Sequence, residues 1–383
     1  MALLKGVQMN IERLHAIATA IIADINNTKT ASTLQQLVES LQNQVNQPQS
    51  PQFQKQVSQH LDALYVSLAN APSNNFSPAW KQALKELGVH DLLGANLSNH
   101  VREIFERNQI TPSVALQRLQ SLSKQLVTCK TSLEQVISSF QQLNIGAEKL
   151  EPGKCELGIL VPRKAINNNL NEFADDIIKL NKIFSTFSEL TTGTRPGFEI
   201  RSISSSDLNV FLAMPLATAA AVAVAVERVV SLYKQILEVR KLHGELKNQG
   251  VPRKSLKGVE NHANIIMVKG IDKLVTELLK KYYKNKDEGR RNELDTELHY
   301  SLKAIATRID KGYSVEVRVQ PISEKQQASE KNDKVPKDTE HINTILGVSK
   351  NLEFLRLEGD PILTLPESQD VVKKPRPKPK STP

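Results

Sequence analysis

The sequence has few of the residues on which disulfide-rich proteins and β-sandwiches depend. Two of its 383 residues are cysteine, Cys129 and Cys155, and aromatic residues make up 4% of the chain. Two cysteines cannot form a disulfide framework, and this usage is typical of a reducing compartment. The apolar stretch Ala16–Ala23 lies between charged residues, which favours an amphipathic helix over a secretion signal. We therefore expect a cytoplasmic protein, bacterial in style, built from helices with aliphatic side chains at their contacts.

The common signatures of catalysis and cofactor binding are also missing. The sequence contains no Walker loop, dinucleotide glycine fingerprint, HExxH, CxxC or GxSxG motif. None of its eight histidines lies four residues from another, so no helical metal-binding pair is expected. The sequence thus predicts no catalytic, cofactor or metal site, and it favours a protein that works by binding.

Apolar residues recur at helical spacing through residues 1–150, which predicts an N-terminal helical bundle. Thr111 and Pro112 predict the start of a long helix, because threonine caps helices and proline fits the first helical position. Along it, alternating steps of three and four predict a coiled-coil-like seam that needs partner helices. The seam consists of Leu119, Leu122, Leu126, Cys129, Leu133, Val136, Phe140 and Leu143. The predicted partners are two upstream helices, around residues 34–45 and 53–68.

The composition changes at Glu151, and residues 151–322 predict a mixed α/β domain with a long central helix. Apolar residues from Leu170 to Phe187 have helical spacing. Four other stretches have the alternation or the short apolar run of a strand. They are CELGILVP from Cys155, FEIRSIS from Phe198, SDLNVFLAM from Ser206 and YSVEVRVQP from Tyr313.

The apolar stretch Leu208–Val226 allows three interpretations: a membrane span, a strand or a buried helix. Its 19 residues are just long enough to cross a bilayer. Asn209, Pro215 and seven alanines make the insertion energy marginal. We expect a strand before Pro215 and one helix from Leu216 to about Lys247, buried at its apolar start.

The last third of the chain changes character twice. Residues 323–343 are highly charged and predict a flexible linker. Residues 344–368 suggest a small β-hairpin element centred on Gly359 and Asp360. The basic, proline-rich residues 369–383 predict an extended, disordered tail. The expected fold class is therefore α+β and predominantly helical, with a bundle, a mixed domain and this tail.

The positive charge of the chain is concentrated in one segment. Of the net charge of +9, an excess of eight lies within residues 240–291, which hold fourteen basic and six acidic residues. Lysines and arginines clustered in this way can meet the phosphates of a polyanion. The candidate polyanion-binding residues are Arg253, Lys254, Lys257, Lys280, Lys281, Lys284, Lys286, Arg290 and Arg291. Tyr282 and Tyr283 lie among them and could stack on bases, although Tyr282 also belongs to an apolar helical face.

Three other groups of polar residues carry weaker signals. The serines of Ser202–Asn209, beside Asp207, more often form turns than a nucleophilic site. Arg195 within TTGTRPG could hold a phosphate, or the segment could be a plain loop. Asp175 and Asp176 flank an apolar helical face, so at least one of the two faces solvent and a pair of catalytic acids has little support.

These observations favour a non-catalytic helical scaffold or protein–protein interaction protein. A protein partner or self-association is expected. The first alternative is a nucleic-acid-associated protein that uses the basic residues 240–291. The second is a membrane-active effector that inserts residues 208–226, a role that requires no catalytic motif.

Overall fold

The computed structural model describes residues 11–147, 150–204, 208–321, 334–352, 354–355 and 357–366. By its internal contacts the chain divides into two compact units, residues 1–149 and 150–383. Helices make up 72% of the structure and the strands form one small antiparallel sheet, which confirms the predominantly helical α+β class.

The first unit consists of α-helices with short connections. Three of them have proline in the first turn, where the missing N–H leaves no hydrogen bond unmade. The helices are Ile11–Asn27 (α1), Thr30–Asn46 (α2), Pro51–Ala69 (α3), Pro78–Glu86 (α4), Gly94–Arg107 (α5) and Pro112–Gln142 (α6). Leucine, isoleucine and valine side chains from all six form one core.

The predicted apolar seam of α6 packs against α2, as expected, and also against α1. The other predicted partner, the helix at residues 53–68, is wrong, because α3 packs against α2 and α5 instead. Leu119, Leu122, Leu126 and Leu133 are buried, as a packed seam requires. Towards the end of the seam the burial decreases, and the side chain of Leu143 is 69% exposed. The ring of His15, from α1, lies 5.4 Å from that of Phe140 and fills part of this end.

The second unit is built on a four-stranded antiparallel sheet. The strands are Cys155–Val161 (β1), Ile200–Ser204 (β2), Leu208–Met214 (β3) and Ser314–Val319 (β4), in the order β2-β3-β1-β4. All four predicted strands are thus confirmed. Alternate residues of the central strand β1 face the core of the unit, as the period of two requires.

Among the described residues, six α-helices complete the second unit. They are Leu170–Thr192 (α7), Leu216–Lys234 (α8), Leu237–Asn248 (α9), Arg253–Tyr282 (α10), Glu288–Asp310 (α11) and Lys334–Asn351 (α12). Helix α8 is central, since it contacts α7, α10, α11, α12, β1 and β4. Its alanines and valines are small enough to let so many neighbours approach, and most of them are fully buried.

The stretch from Leu208 to Val226 is therefore part strand and part core helix. Among the described residues, α8 is the one helix long and apolar enough to cross a bilayer, with a mean hydropathy of 1.6, yet 61% of that window is buried within the fold. The prediction of one helix to Lys247 is wrong. Backbone N–H groups of Gln235 and Ile236 bond to carbonyls three residues back, and this turn ends α8 while it buries Ile236.

The C-terminal residues also differ from expectation. Helix α12 occupies residues 334–343 of the predicted linker and residues 344–351 of the predicted hairpin, so both predictions are wrong there. Helical spacing places Ile342 and Ile345 in buried positions, which stabilises helix over hairpin. Residues 357–366, here called the strap, have no strand pairing and bend at Gly359 and Asp360, where Gly359 has a φ of 74°. The rest of the linker, residues 323–333, and the tail 369–383 lie outside the described residues.

Candidate polyanion-binding surface

The predicted polyanion-binding residues lie at the two ends of α10. Arg253, Lys254 and Lys257 belong to its first turn or two, whereas the other six lie at its end, in its connection to α11 and in the first turn of α11. At 1.5 Å per residue, Lys257 and Lys280 are about 35 Å apart along the helix. The structure therefore does not bring the nine residues together as one compact patch.

Two lysines that sequence reasoning missed lie between these ends. Lys269 and Lys273 are exposed, and at 100° per residue they fall on the same side of α10 as Lys254 and Lys280. The opposite side carries the apolar residues that pack into the core. We call five exposed lysines of α10 the basic face: Lys254, Lys257, Lys269, Lys273 and Lys280. A sixth, Lys281, falls on another side of the helix. The helical period in the sequence could have revealed Lys269 and Lys273.

The acidic residues of α10 are all engaged with neighbouring helices. Glu260 lies 3.3 Å from His243, Asp272 lies 3.3 Å from His299, and Glu277 lies 3.8 Å from Arg228. None of the five lysines of the basic face has an acidic partner among the residues that the structure describes. The lysines of the basic face therefore form no ion pair within the described fold, while the exposed Asp272, on the same side of the helix, offsets part of their charge.

The last turn of α10, its connection to α11 and the first turn of α11 carry four further exposed cations. Lys281, Lys284, Lys286 and Arg291 are exposed, and no carboxylate in the described part of the chain pairs with them. We call these four residues the connection cluster. Lys281 Nζ lies 5.2 Å from the centroid of the Tyr282 ring.

Of the two tyrosines of this region, Tyr282 does not offer an open ring to a base. The Tyr282 side chain is 8% exposed, and burial raises the pKa of its hydroxyl to about 12. Tyr283 is half-buried, and its hydroxyl donates a hydrogen bond to the carbonyl oxygen of Asp287 at 2.7 Å. Stacking by Tyr282 is therefore excluded by its packing, which the apolar spacing of α10 had already suggested.

Arg290 belongs to an ion cluster rather than to the free surface. Its Nε and Nη2 lie 2.5 and 2.6 Å from the two carboxylate oxygens of Glu189, and it also pairs with Glu293. Arg195 joins the same cluster through Glu189 and Glu297. The hydrogen bond from Arg290 is the main cause that holds the pKa of Glu189 below its usual value. Both arginines are neutralised, so neither the TTGTRPG phosphate cradle nor a polyanion contact by Arg290 fits this arrangement.

The remaining polar candidates also have structural roles. Asp175 is exposed, whereas Asp176 accepts hydrogen bonds from Arg308 Nη2 at 2.6 Å and Tyr313 Oη at 2.9 Å. Within Ser202–Asn209, residues 205–207, and so Asp207, lie outside the described residues. Across the described ranges, no group of three or more His, Cys, Asp or Glu residues is placed to hold a metal ion.

Of the two cysteines, Cys155 is buried and Cys129 is half-buried. The Cys155 thiol donates to the carbonyl oxygen of Met214 at 2.7 Å, and burial raises its pKa to about 12. Burial also raises the pKa of Cys129. Thiolate, the reactive form, is therefore disfavoured at both positions at neutral pH.

A second charged group lies deep in the fold, and sequence reasoning did not find it. Tyr233, Arg240 and Asp310, here called the hub, are 0%, 5% and 0% exposed. Arg240 Nη1 lies 2.6 Å from Asp310 Oδ1 and 2.8 Å from the Tyr233 hydroxyl, which itself donates to Asp310. One signal was available: Asp310 ends α11, where the helix dipole disfavours a carboxylate.

Comparisons with protein-family models, with curated proteins and with solved structures found no match for this chain.

Proposed function

We propose that this chain is a non-catalytic helical interaction protein that binds an acidic partner protein through the basic face of α10. The observation that supports this proposal is the contrast along α10 between acids that are all engaged and lysines that have no acidic partner in the described fold. Long-range attraction between complementary charges accelerates association and selects partners.

The middle of the basic face suits a protein partner better than a purely electrostatic ligand. Ile265 is 52% exposed and lies on the same side of the helix as Lys269. Protein interfaces combine an apolar centre with a charged rim. An exposed isoleucine flanked by lysines therefore fits a partner that offers an apolar contact within an acidic surface.

The test compares two charge-reversed proteins by quantitative co-purification. One carries Lys269→Glu, Lys273→Glu and Lys280→Glu, and the other carries the same changes at Lys55, Lys85 and Lys124, three exposed lysines of the first unit. We expect the recovered amount of the proteins that co-purify with the wild type to fall at least tenfold with the first variant and to stay unchanged with the second. Equal recovery with both variants would contradict the proposal.

A second candidate function is nucleic-acid binding, and the connection cluster favours it. Lys280 and the cluster place five cations within twelve residues at one end of α10, with Lys257 and Lys254 further along the same helix. Phosphate contacts of this kind require no base readout and give affinity that falls steeply with salt.

The nucleic-acid candidate is tested with the full chain and a single-stranded and a double-stranded oligonucleotide of mixed sequence. If the chain binds nucleic acid in this way, the logarithm of the affinity falls linearly with the logarithm of the salt concentration. Neutralising Lys280, Lys281, Lys284 and Lys286 together then flattens that slope by about three to four. Removal of residues 370–383 has less effect. An absence of binding at low salt would eliminate this candidate, and dependence on the tail alone would move the site there.

A further inference from the structure

The two edges of the four-stranded sheet are covered unequally. At one edge α8 and α12 pack against β4, and the Ser349 hydroxyl of α12 donates to the carbonyl oxygen of Val317 at 3.4 Å. At the other edge β2 packs chiefly against β3. In the part of the chain that the structure describes, no strand pairs with the outer side of β2. That side therefore offers main-chain groups to an added strand.

A bulge gives β2 an apolar face at this open edge. Ile200 lies opposite Leu212 and Ile203 opposite Val210, while Arg201 is the extra residue between them. Leu212 and Val210 in turn lie opposite residues of β1 that face the core. Residues directly opposite each other in an antiparallel pair share a face, so Ile200 and Ile203 both lie on the core face of the sheet.

The helical layer that covers the core face does not bury β2. Val210 of β3 is 3% exposed, whereas Ile200 and Ile203 are 59% and 53% exposed. The apolar surface of the sheet thus continues beyond the helices and ends in two exposed isoleucines. Single exposed isoleucines are common on protein surfaces, but two on one face of an open edge favour association with another strand.

The other face of β2 carries charge of both signs. Arg201 Nε lies 3.5 Å from Glu156 Oε2 of β1, so Arg201 is on the face away from the core. The N–H of Ala213 donates to the Glu199 carbonyl oxygen at 2.9 Å, which extends the pairing with β3 to Glu199. Because Glu199 alternates with Ile200, it lies on the same face as Arg201. Its side chain is exposed and has no basic partner among the described residues.

These features make β2 complementary to itself. When two copies pair antiparallel about a two-fold axis at Ile200, that residue meets its counterpart on the core face. On the other face, Glu199 of each copy lies opposite Arg201 of the other copy, which gives two pairs of opposite charge. A strand of unrelated sequence would have to supply both features, whereas a second copy supplies them by symmetry.

The devices that protect edge strands are only partly present in β2. Native edges are often short, bulged or charged, and β2 has five residues with a bulge at Arg201. The guanidinium of Arg201, however, reaches across the sheet to Glu156 instead of guarding the edge. A strand of this length buries less than the ~800 Å² per partner of a standard interface. The expected dimer is therefore weak and dissociates on dilution.

We propose that β2 is a self-association edge, through which two copies of this chain join their sheets by antiparallel β2–β2 pairing about a two-fold axis at Ile200. The occupant is a second copy, because the edge matches itself in charge on one face and in apolar surface on the other. The inference does not depend on the basic face or on the partner proposed for it.

Cysteine cross-linking of the full chain tests the pairing itself. Ile200→Cys places two thiols across the axis, where opposite Cα atoms are about 4.5–5.5 Å apart, within the span of a disulfide. Ile203→Cys is the matched control: Ile203 is similarly exposed, but its two copies would be about 20 Å apart along the strands. Under mild oxidation we expect at least tenfold more covalent dimer from Ile200→Cys. The wild type gives the background from its own cysteines.

Sedimentation equilibrium measures the dimer without a cross-link. The wild type is expected to shift from monomer towards dimer between low and high micromolar concentrations. Ile200→Lys removes the apolar contact and Glu199→Lys sets a lysine against Arg201 of the second copy, so each should weaken association at least tenfold. Glu245→Lys changes the charge equally at an exposed position of α9 and should leave it unchanged. The substituted side chains are all exposed, so the fold should persist, as circular dichroism checks.

Four results would overturn the proposal. They are a wild type that stays monomeric throughout, a dimer that Ile200→Lys or Glu199→Lys leaves intact, equal cross-linking at positions 200 and 203, and preferential cross-linking at position 203. The last would place the axis elsewhere and remove the charge match on which the choice of a second copy rests.

Discussion

The basic face of α10 and the hub both contain charged side chains, but in opposite environments. The lysines of the basic face are exposed and have no acidic partner in the described fold, whereas Arg240 and Asp310 are buried and surrounded by hydrogen bonds. An exposed charge contributes little to stability and remains free for a partner. A buried charge cannot lose its partner without a large cost. The comparison is consistent with the proposal that the first region binds a partner, while the second holds the strap in place.

The largest expected effect is on the hub. Asp310→Ala leaves the Arg240 guanidinium buried without its carboxylate and removes the acceptor for two strap N–H groups. We expect the free energy of unfolding to fall by about 3–5 kcal/mol, measured by urea denaturation of the full chain. As a control, Lys247→Ala, which breaks an exposed ion pair, changes it by less than about 1 kcal/mol. Similar values for the two variants would remove the distinction between hub and surface.

The same contrast of environments applies to alanines. Ala223 of α8 is 3% exposed, so Ala223→Leu overpacks the core and is expected to cost about 1–3 kcal/mol, seen as a lower melting temperature. Ala174→Leu, on an exposed position of α7, serves as the matched control and changes stability by about 0.5 kcal/mol or less. A helix that functions in a bilayer would instead tolerate leucine at position 223.

The ion cluster around Glu189 lies between these extremes. Arg290 lowers the pKa of Glu189 in the folded state. The ionised Glu189 therefore stabilises the fold above its unfolded pKa of about 4.3, and this stabilisation is lost as the pH falls through the folded pKa. We expect Glu189→Gln to be about 1 kcal/mol less stable than the wild type at pH 7. The difference should close below about pH 4, as followed by urea denaturation across pH. A difference that does not change with pH would show that charge is not its source.

The smallest stability effect is expected on the surface that carries the proposed function. Replacement of Lys269, Lys273 and Lys280 by alanine should change the free energy of unfolding by about 0.5 kcal/mol or less, because none of them has an acidic partner in the described fold. Thermal denaturation of the triple variant checks this. A loss comparable to that of Asp310→Ala would mean that these lysines support the fold.

Much of the fold follows from periodicity within short segments. Alternation located β4, and steps of three and four located α6 and α7. The break between α8 and α9 after Lys234 could not be predicted from periodicity, because an apolar residue at position 236 continues the helical pattern. In the structure the turn buries Ile236. Likewise α12 has weak local signals, and contacts with α8 and β4 stabilise it.

The charged sites were predictable only in part. Composition located the basic segment, and helical geometry could have added Lys269 and Lys273. Which charges are neutralised depends on residues far apart in sequence: Arg290 meets Glu189 over 101 positions, and Arg240 meets Asp310 over 70. No local pattern encodes such a pairing, so Arg290 was included among the surface residues and the hub was missed.

The most direct test of the central claim asks whether the location of positive charge, rather than its amount, determines binding. The wild type, the variant Lys269→Glu/Lys273→Glu/Lys280→Glu and the control Lys55→Glu/Lys85→Glu/Lys124→Glu are applied to an immobilised polyanion and eluted with salt. Both variants have the same net charge, because each substitution changes it by two units. Elution of the α10 variant at a clearly lower salt concentration than the control is the predicted result. Co-elution of the two variants would contradict a binding surface on α10.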